Sequence, residues 1–154
     1  MARLEEFSEI VQNVLKGLEC PTFDTLPWVD GPPLSERRVS IISTAGLHGR
    51  EDRPFTFNPG DYYRVIPGDM KANDLVMSHV STNYDRSGFQ QDWNVVFPLD
   101  RINEFSEMGI IGSVAEYHYL FMGANEPLPM ESAARDVAGL LKKDKVDAAI
   151  FLPV

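Results

Sequence analysis

Two uninterrupted apolar runs limit what this chain can become. "RRVSIIS" at residues 37–43 and "VDAAIFLPV" at 146–154 lack the apolar–polar alternation of a half-exposed strand. A strand that is apolar on both sides needs cover on both faces, which is the habit of parallel sheets packed between helices. "YYRVI", "DLVMS", "IIGSV" and "YHYLFMG" read as further strands, with "DLVMS" as a second core strand and "TAGLHGREDRPF" as a loop. Helical spacing recurs between them. Pro98 opens a helix carried by Ile102, Phe105 and Met108 and stopped at Gly109. Ala133, Ala134, Val137, Leu140 and Leu141 define another, with Lys142 and Lys143 favourably placed at its C-terminal end. The alternation predicts an α/β fold: a mostly parallel sheet with flanking helices, three-layered, Rossmann-like or flavodoxin-like.

The residues before this body read differently. Leu4, Phe7, Ile10, Val11, Val14, Leu15 and Leu18 recur at helical spacing, so residues 1–18 read as one amphipathic helix. Residues 19–36 form a Pro-rich arm whose Phe23, Leu26, Trp28 and Val29 suggest a segment laid across a surface. Residues 37–154 make the α/β body, and 154 residues suit one domain. The net charge of -9, from 23 acidic against 14 basic side chains, argues against a nucleic-acid surface. No apolar run reaches the length of a membrane span, and the acids in "MARLEEFSEIVQ" exclude a secretory signal, so a cytoplasmic protein is the default. Cys20 is the single cysteine. It permits no internal disulfide, zinc cluster or CxxC redox pair, and reads as a small buried apolar residue.

In parallel sheets ligands gather beyond the carboxyl ends of the strands. Ser43, Thr44 and His48 lie at or after the end of "VSIIS", and His79, Ser81, Asn83, Asp85, Arg86 and Gln90 follow "DLVMS". His118 lies within "YHYLFMG". His79 with Asp85 makes a sensible general base, because a carboxylate fixes the ring's tautomer. Arg86 is available for a substrate carboxylate, although Asp85 and Arg86 would serve equally to pin their loop. A metal held by His48, His79 and His118 is the weaker alternative, since the spacing matches no compact ligand pattern. Ser43, Ser78, Ser81 and Ser87 lack a nucleophile elbow, and no GxGxxG or GxxxxGK[ST] loop cradles a phosphate. The residues thus give a polar pocket without a reaction.

The longer motifs add one. "RRVSIISTAGLH", "YRVIPGD", "SHVSTNYDRSGFQQDWNVVFPLDR", "GIIGSVAEYHYLFMGA" and "VDAAIFLPV" resemble the selenoprotein B family of glycine, sarcosine, betaine and D-proline reductases. The resemblance runs from "CPTFDTLPWV" onward. It implies reductive cleavage of a carbon–nitrogen bond in a small amino-acid-like substrate. It also implies a pyruvoyl group on a partner subunit, and no cofactor in this chain. A selenocysteine, or cysteine in some relatives, then attacks the α-carbon; a selenol ionises more readily than a thiol. In the family the strand matching "DAAIFLPV" runs on into the motif bearing that nucleophile, so the resemblance implies a sequence truncated short of it at Val154. His79 and Asp85 become the catalytic candidates. Ser43, Thr44, His48, Ser81, Asn83, Arg86, Gln90 and His118 become substrate-binding ones. The competing reading is a non-catalytic module whose final strand and arm make a homo- or hetero-oligomer.

Overall fold

A computed structural model describes residues 3–18, 21–56, 60–81 and 84–154. In chain order its elements are α1 (Glu9–Lys16), β1 (Arg38–Ser43), β2 (Leu47–Gly49), β3 (Tyr63–Pro67), β4 (Leu75–Met77), α2 (Ser87–Gln91), α3 (Leu99–Glu107), β5 (Ser113–Val114), β6 (Tyr117–Phe121), α4 (Glu131–Lys143) and β7 (Ala148–Leu152). The two apolar runs that open the sequence argument pair with each other. β7 runs parallel to β1, from Val39 opposite Ala148 to Ser43 opposite Leu152. On the other side of β1 two short parallel strands follow in succession: β5 against Arg38 and Val39, then β6 against Ile42 and Ser43. β3 completes the sheet antiparallel to β6. The fold is α/β with a mostly parallel sheet and one antiparallel pair.

β1 buries residues on both faces, as its continuous apolar character predicts. Val39 and Ile41, with Ile66 and Leu120, meet Phe97 and the Leu99 and Ile102 of α3. Ile42, Tyr119 and Phe121 face the other way, onto Ala133 and Val137 of α4. Alternate side chains of a strand point to opposite faces, so one sheet supports a helix layer on each side. Each fully buried aliphatic side chain contributes about 1.5–3 kcal/mol.

The ladder is interrupted between β5 and β6, and side chains fill the gap. The Ile41 N–H donates to His118 Nδ1 at 3.0 Å, and the Ser40 hydroxyl donates to Tyr117 O at 3.0 Å. Asp144, just past α4, binds this region from outside. Its carboxylate accepts from the Arg38 guanidinium at 2.5 Å and from the Glu116 N–H at 2.7 Å. Burial alone would raise its pKa, but these donors outweigh burial and hold the group below the ordinary carboxylate value.

Three expectations need correcting. "DLVMS" is no part of the main sheet: β4 pairs antiparallel with β2 in a separate two-stranded ribbon, His48 opposite Val76. "LHG", expected in a loop, is the other strand of that ribbon. An apolar run announces burial without naming the neighbour it pairs with. The N-terminal helix is also two pieces. A 3-10 turn at Leu4–Glu6 is separated from α1 by Phe7 and Ser8, both extended. The arm runs beside β7 with Phe23, Leu26, Trp28 and Val29 exposed. Cys20 lies outside the described residues. Among those residues no helix is long and apolar enough to cross a membrane.

Candidate functional site

Two glycines set the geometry at the carboxyl ends of the strands. Gly46 follows β1 at φ +65°, and a Cβ there would lie 2.9 Å from His79 Cα. Only glycine tolerates both the left-handed backbone and that approach. Its backbone accepts from the Ser78 N–H at 3.0 Å and donates to Phe121 O at 2.9 Å, tying the exit of β4 to the ends of β1 and β6. Gly123, just after β6, donates to Thr44 O at 2.8 Å. A Cβ on Gly123 would stand 2.9 Å from His79 Nε2, 3.2 Å from Thr44 O and 3.3 Å from Val154 O. The Thr44 N–H donates to Leu152 O at 3.1 Å, and the Val154 N–H donates to Thr44 Oγ1 at 2.8 Å. His79, Thr44, Gly123 and Val154 therefore meet on one rim, where β1, β6 and β7 end.

His79 is the unusual group there. It is 6% exposed, and the Ser81 N–H donates to its Nδ1 at 3.1 Å. A backbone amide only donates, so Nδ1 keeps its lone pair and the neutral ring carries its proton on Nε2. That Nε2 is buried and has no hydrogen-bond partner among the described residues. Burial, and then the nearby Arg86 guanidinium, lower the ring's pKa below its ordinary value. The ring is a neutral donor facing the Gly123 backbone. An unpaired buried donor costs about 1–3 kcal/mol; His118 Nε2, deep in the sheet, is unpaired among the described residues in the same way, and only His79 lies at the rim. Tyr84 leans on the ring with centroids 4.8 Å apart, and its own hydroxyl is buried without a partner among the described residues. Burial pushes the Tyr84 phenol up.

The other expected residues divide between rim and scaffold. Ser81 contributes its backbone amide to His79. Asp85 is exposed and accepts from the Ser87 N–H at 2.9 Å, which pins the chain at the entry to α2 and lowers its pKa. The tautomer of His79 is fixed by the Ser81 amide, in place of the carboxylate expected from the sequence. Arg86 donates to His79 O at 2.6 Å and Ser81 O at 3.0 Å, which closes the 79–86 loop on itself. Its charge is still felt at the imidazole. Ser43 is buried, its Oγ accepting from the Ala45 N–H at 3.3 Å. Gln90 is exposed on α2. Asn83 lies outside the described residues.

His48 and His118 have separate surroundings. His48 donates from Nδ1 to Gly49 O at 2.7 Å and sets its ring edge on Phe55. Its bare Nε2 is the reverse of the His79 arrangement. His118 is fully buried within the sheet against Phe97. Burial lowers its pKa to about 4. Among the described residues no group of three or more His, Cys, Asp or Glu side chains is arranged to hold a metal ion, so these histidines form no metal centre. Sequence reasoning missed Gly46 and Gly123, the residues that permit the rim to close. A lone glycine directly after each apolar strand ("STAG", "LFMG") was the available signal.

The relatives of the chain agree in kind. Residues 34–153 match the family described as glycine/sarcosine/betaine reductase selenoprotein B. The chain is 32% identical over 147 residues to the D-proline reductase subunit gamma of Acetoanaerobium sticklandii, covering 90% of this chain and 60% of the relative. It is 30% identical over 140 residues to the glycine reductase complex component B subunit gamma of Symbiobacterium thermophilum, covering 85% of this chain and 32% of that protein. The sarcosine reductase complex component B subunit beta of Peptoclostridium acidaminophilum is 29% identical over 125 residues, covering 73% of this chain and 28% of its own length. The chain thus spans less than two thirds of the length of each of these relatives. No solved structure matches it. With the match extending from the arm's end through the rim to β7, the chain belongs to the glycine/sarcosine/betaine reductase selenoprotein B family.

Proposed function

We propose that this chain serves as a B-type component of a reductase that cleaves a carbon–nitrogen bond, and that its rim binds the small amino-acid-like substrate. The observation that carries this reading is the buried His79 Nε2 beside Gly123, unpartnered among the described residues. A substrate carboxylate is the acceptor such a donor lacks, and a hydrogen bond to a charged group is worth about 1.5–3 kcal/mol. The Arg86 guanidinium, spent on loop carbonyls, still lends positive potential to the imidazole. The carbonyls of Thr44 and Val154 stand close by and suit a substrate ammonium. Tyr84 supplies the ring's wall.

In this reading His79 orients and does not abstract a proton. Its Nδ1 is engaged by the Ser81 amide and its Nε2 already bears a proton. The family resemblance assigns polarisation of the substrate amine to a pyruvoyl group carried by a partner subunit, and attack on the α-carbon to a selenocysteine or cysteine. The rim fits that division of labour: its groups are neutral donors and acceptors, which hold a zwitterion without competing for the reacting carbon. Cytoplasmic assembly and a Rossmann- or flavodoxin-like ancestry of the sheet belong to the same reading.

Titration calorimetry of the purified chain with glycine, sarcosine, betaine and D-proline, alone and with the pyruvoyl-bearing subunit, tests it. Binding of at least one, weakened roughly tenfold or more in His79→Ala, is expected from the loss of one charge-assisted bond. Binding of none under either condition, or equal binding by the variant, overturns it.

A further inference from the structure

The three histidines of this chain carry their protons in two different ways, and a backbone group decides each case. His48 donates from Nδ1 to Gly49 O, so its proton sits on Nδ1. His118 accepts the Ile41 N–H on Nδ1, and His79 accepts the Ser81 N–H on the same atom, so both carry the proton on Nε2. The backbone groups differ in how they are held. Gly49 is paired with Leu75 in the β2–β4 ribbon, and Ile41 is paired with Ile150 within the parallel sheet. Ser81 lies outside every strand and helix.

Arg86 grips Ser81 instead. A single nitrogen, Nη2, donates to His79 O at 2.6 Å and to Ser81 O at 3.0 Å, while Nη1 reaches Tyr84 O at 3.4 Å. The guanidinium carbon also stands 5.8 Å from the centre of the Tyr84 ring, which in turn leans on the imidazole. A permanently charged, planar fork suits this task, because it holds several carbonyls at fixed angles. The two carbonyls on Nη2 flank the short span from which the Ser81 amide returns to His79 Nδ1. Arg86 forms no ion pair among the described residues, so a direct bond to a substrate carboxylate is the rival role for the same side chain.

We propose that Arg86 is a positioning residue: by gripping the His79 and Ser81 carbonyls it keeps the Ser81 amide on Nδ1, and thereby keeps Nε2 a donor facing Gly123. This rests on the reading of the rim as the substrate site, and it gives Arg86 no contact with the substrate. Without the grip the amide leaves Nδ1, and the ring's proton divides between its two nitrogens. The ring then offers a donor at Nε2 for only part of the time, and a site competent one time in three binds about threefold more weakly. His48 and His118 lie beyond this influence, since the groups that fix them belong to strand ladders.

Nitrogen NMR of the imidazole rings in the full chain, at about pH 8 where they are neutral, provides the test. In the native protein Nδ1 is expected bare in His79 and His118 and protonated in His48, with a coupling across the hydrogen bond from the Ser81 amide to His79 Nδ1. Arg86→Met should draw the two nitrogen signals of His79 together, while His48 and His118 keep theirs and report an intact fold. Ser81→Pro, which deletes the amide itself, should do the same. In calorimetry with whichever of glycine, sarcosine, betaine and D-proline the native chain binds, Arg86→Met should weaken binding about threefold or more. Added to His79→Ala it should cost nothing further, because a residue that acts through another loses its effect with it. A His79 ring that keeps its two signals apart in either variant overturns the proposal, as does absence of the Ser81 coupling in the native protein, which needs no variant. Additive losses in the double variant overturn it too, by giving Arg86 its own bond to the substrate. Binding of none of the four by the native chain removes the substrate reading alone, and the ring signals still decide what Arg86 does.

Discussion

β6 and the arm are similarly rich in apolar residues and have opposite fates. In β6, Tyr119, Leu120 and Phe121 are buried, each pressed on a neighbour from a distant part of the chain. In the arm, Phe23, Leu26, Trp28 and Val29 remain in water. The difference lies in geometry, because composition is alike. A strand presents its residues to two faces at once, and the sheet supplies partners on both. The arm's prolines set it as an irregular ribbon with nothing stacked over it. The exposed apolar side chains of the arm therefore contribute little burial to the body.

The widest separation between the two regions comes from matched truncations. Phe97 is fully buried between Trp93 and His118, so Phe97→Ala is expected to cost about 3–5 kcal/mol. Phe23→Ala should change stability by less than about 0.5 kcal/mol. Urea midpoints at dilute protein concentration measure both. Equal losses would mean that the arm belongs to the cooperative core and that the contrast is mistaken.

Acid provides the next test, because the body alone encloses a neutral histidine. His118 falls from the ordinary 6.5 to about 4, chiefly by burial, with Asp144 opposing the fall and Arg38 assisting it. Between these values the unfolded chain binds a proton that the folded chain refuses. Stability is thus fully present above the unfolded value and is lost as pH falls toward the folded one, by roughly 3 kcal/mol in total. His79 adds to the loss in the same direction, since its pKa is also lowered. His118→Asn can still accept from the Ile41 amide, and it should flatten most of the slope. Denaturant midpoints followed between neutral and mildly acid pH check this; an unchanged slope in the variant would move the effect to other groups.

The smallest expected effect is local. Gly123→Ala inserts a methyl 2.9 Å from His79 Nε2, so the ring must give way. A stability loss of about 1 kcal/mol is expected. The imidazole nitrogen signals of His79 should shift while those of His118 stay fixed. A variant in which neither ring responds would show that the rim is looser than its distances imply.

Much of this architecture was legible in the residues. β1, β6, β7 and α4 each carry a long enough apolar run or period to announce themselves, and the pairing of "VSIIS" with "AAIFL" follows the parallel-sheet logic of unbroken runs. The β2–β4 ribbon was not legible. "LHG" is too short to signal a strand, and the run in "DLVMS" is satisfied by any partner. At the site, position after a strand drew attention to Thr44 and His79, which the fold brings to one rim. It could not tell which nitrogen of the ring is occupied, because that depends on the Ser81 amide, a group every residue type but proline carries. The setting of His118 was half visible: alternation in "YHYLF" puts residues 118 and 120 on one face, and Leu120 is core. Its flanking tyrosines disguised that burial as polarity.

One small knot at the strand ends has a mechanical consequence. Thr44 receives Val154 through its hydroxyl, reaches Leu152 through its amide and holds Gly123 through its carbonyl. Thr44 thus fastens its own strand end to two other segments, so a push on any one is conveyed to the other two, through backbone bonds at Gly123 and Leu152 and through the Thr44 side chain at Val154. A ligand that nudges Gly123 would be sensed along β7, and a pull on β7 would alter the space in front of His79. Thr44→Val keeps the amide and carbonyl links and removes only the hydroxyl, which isolates that lever from the rest of the sheet.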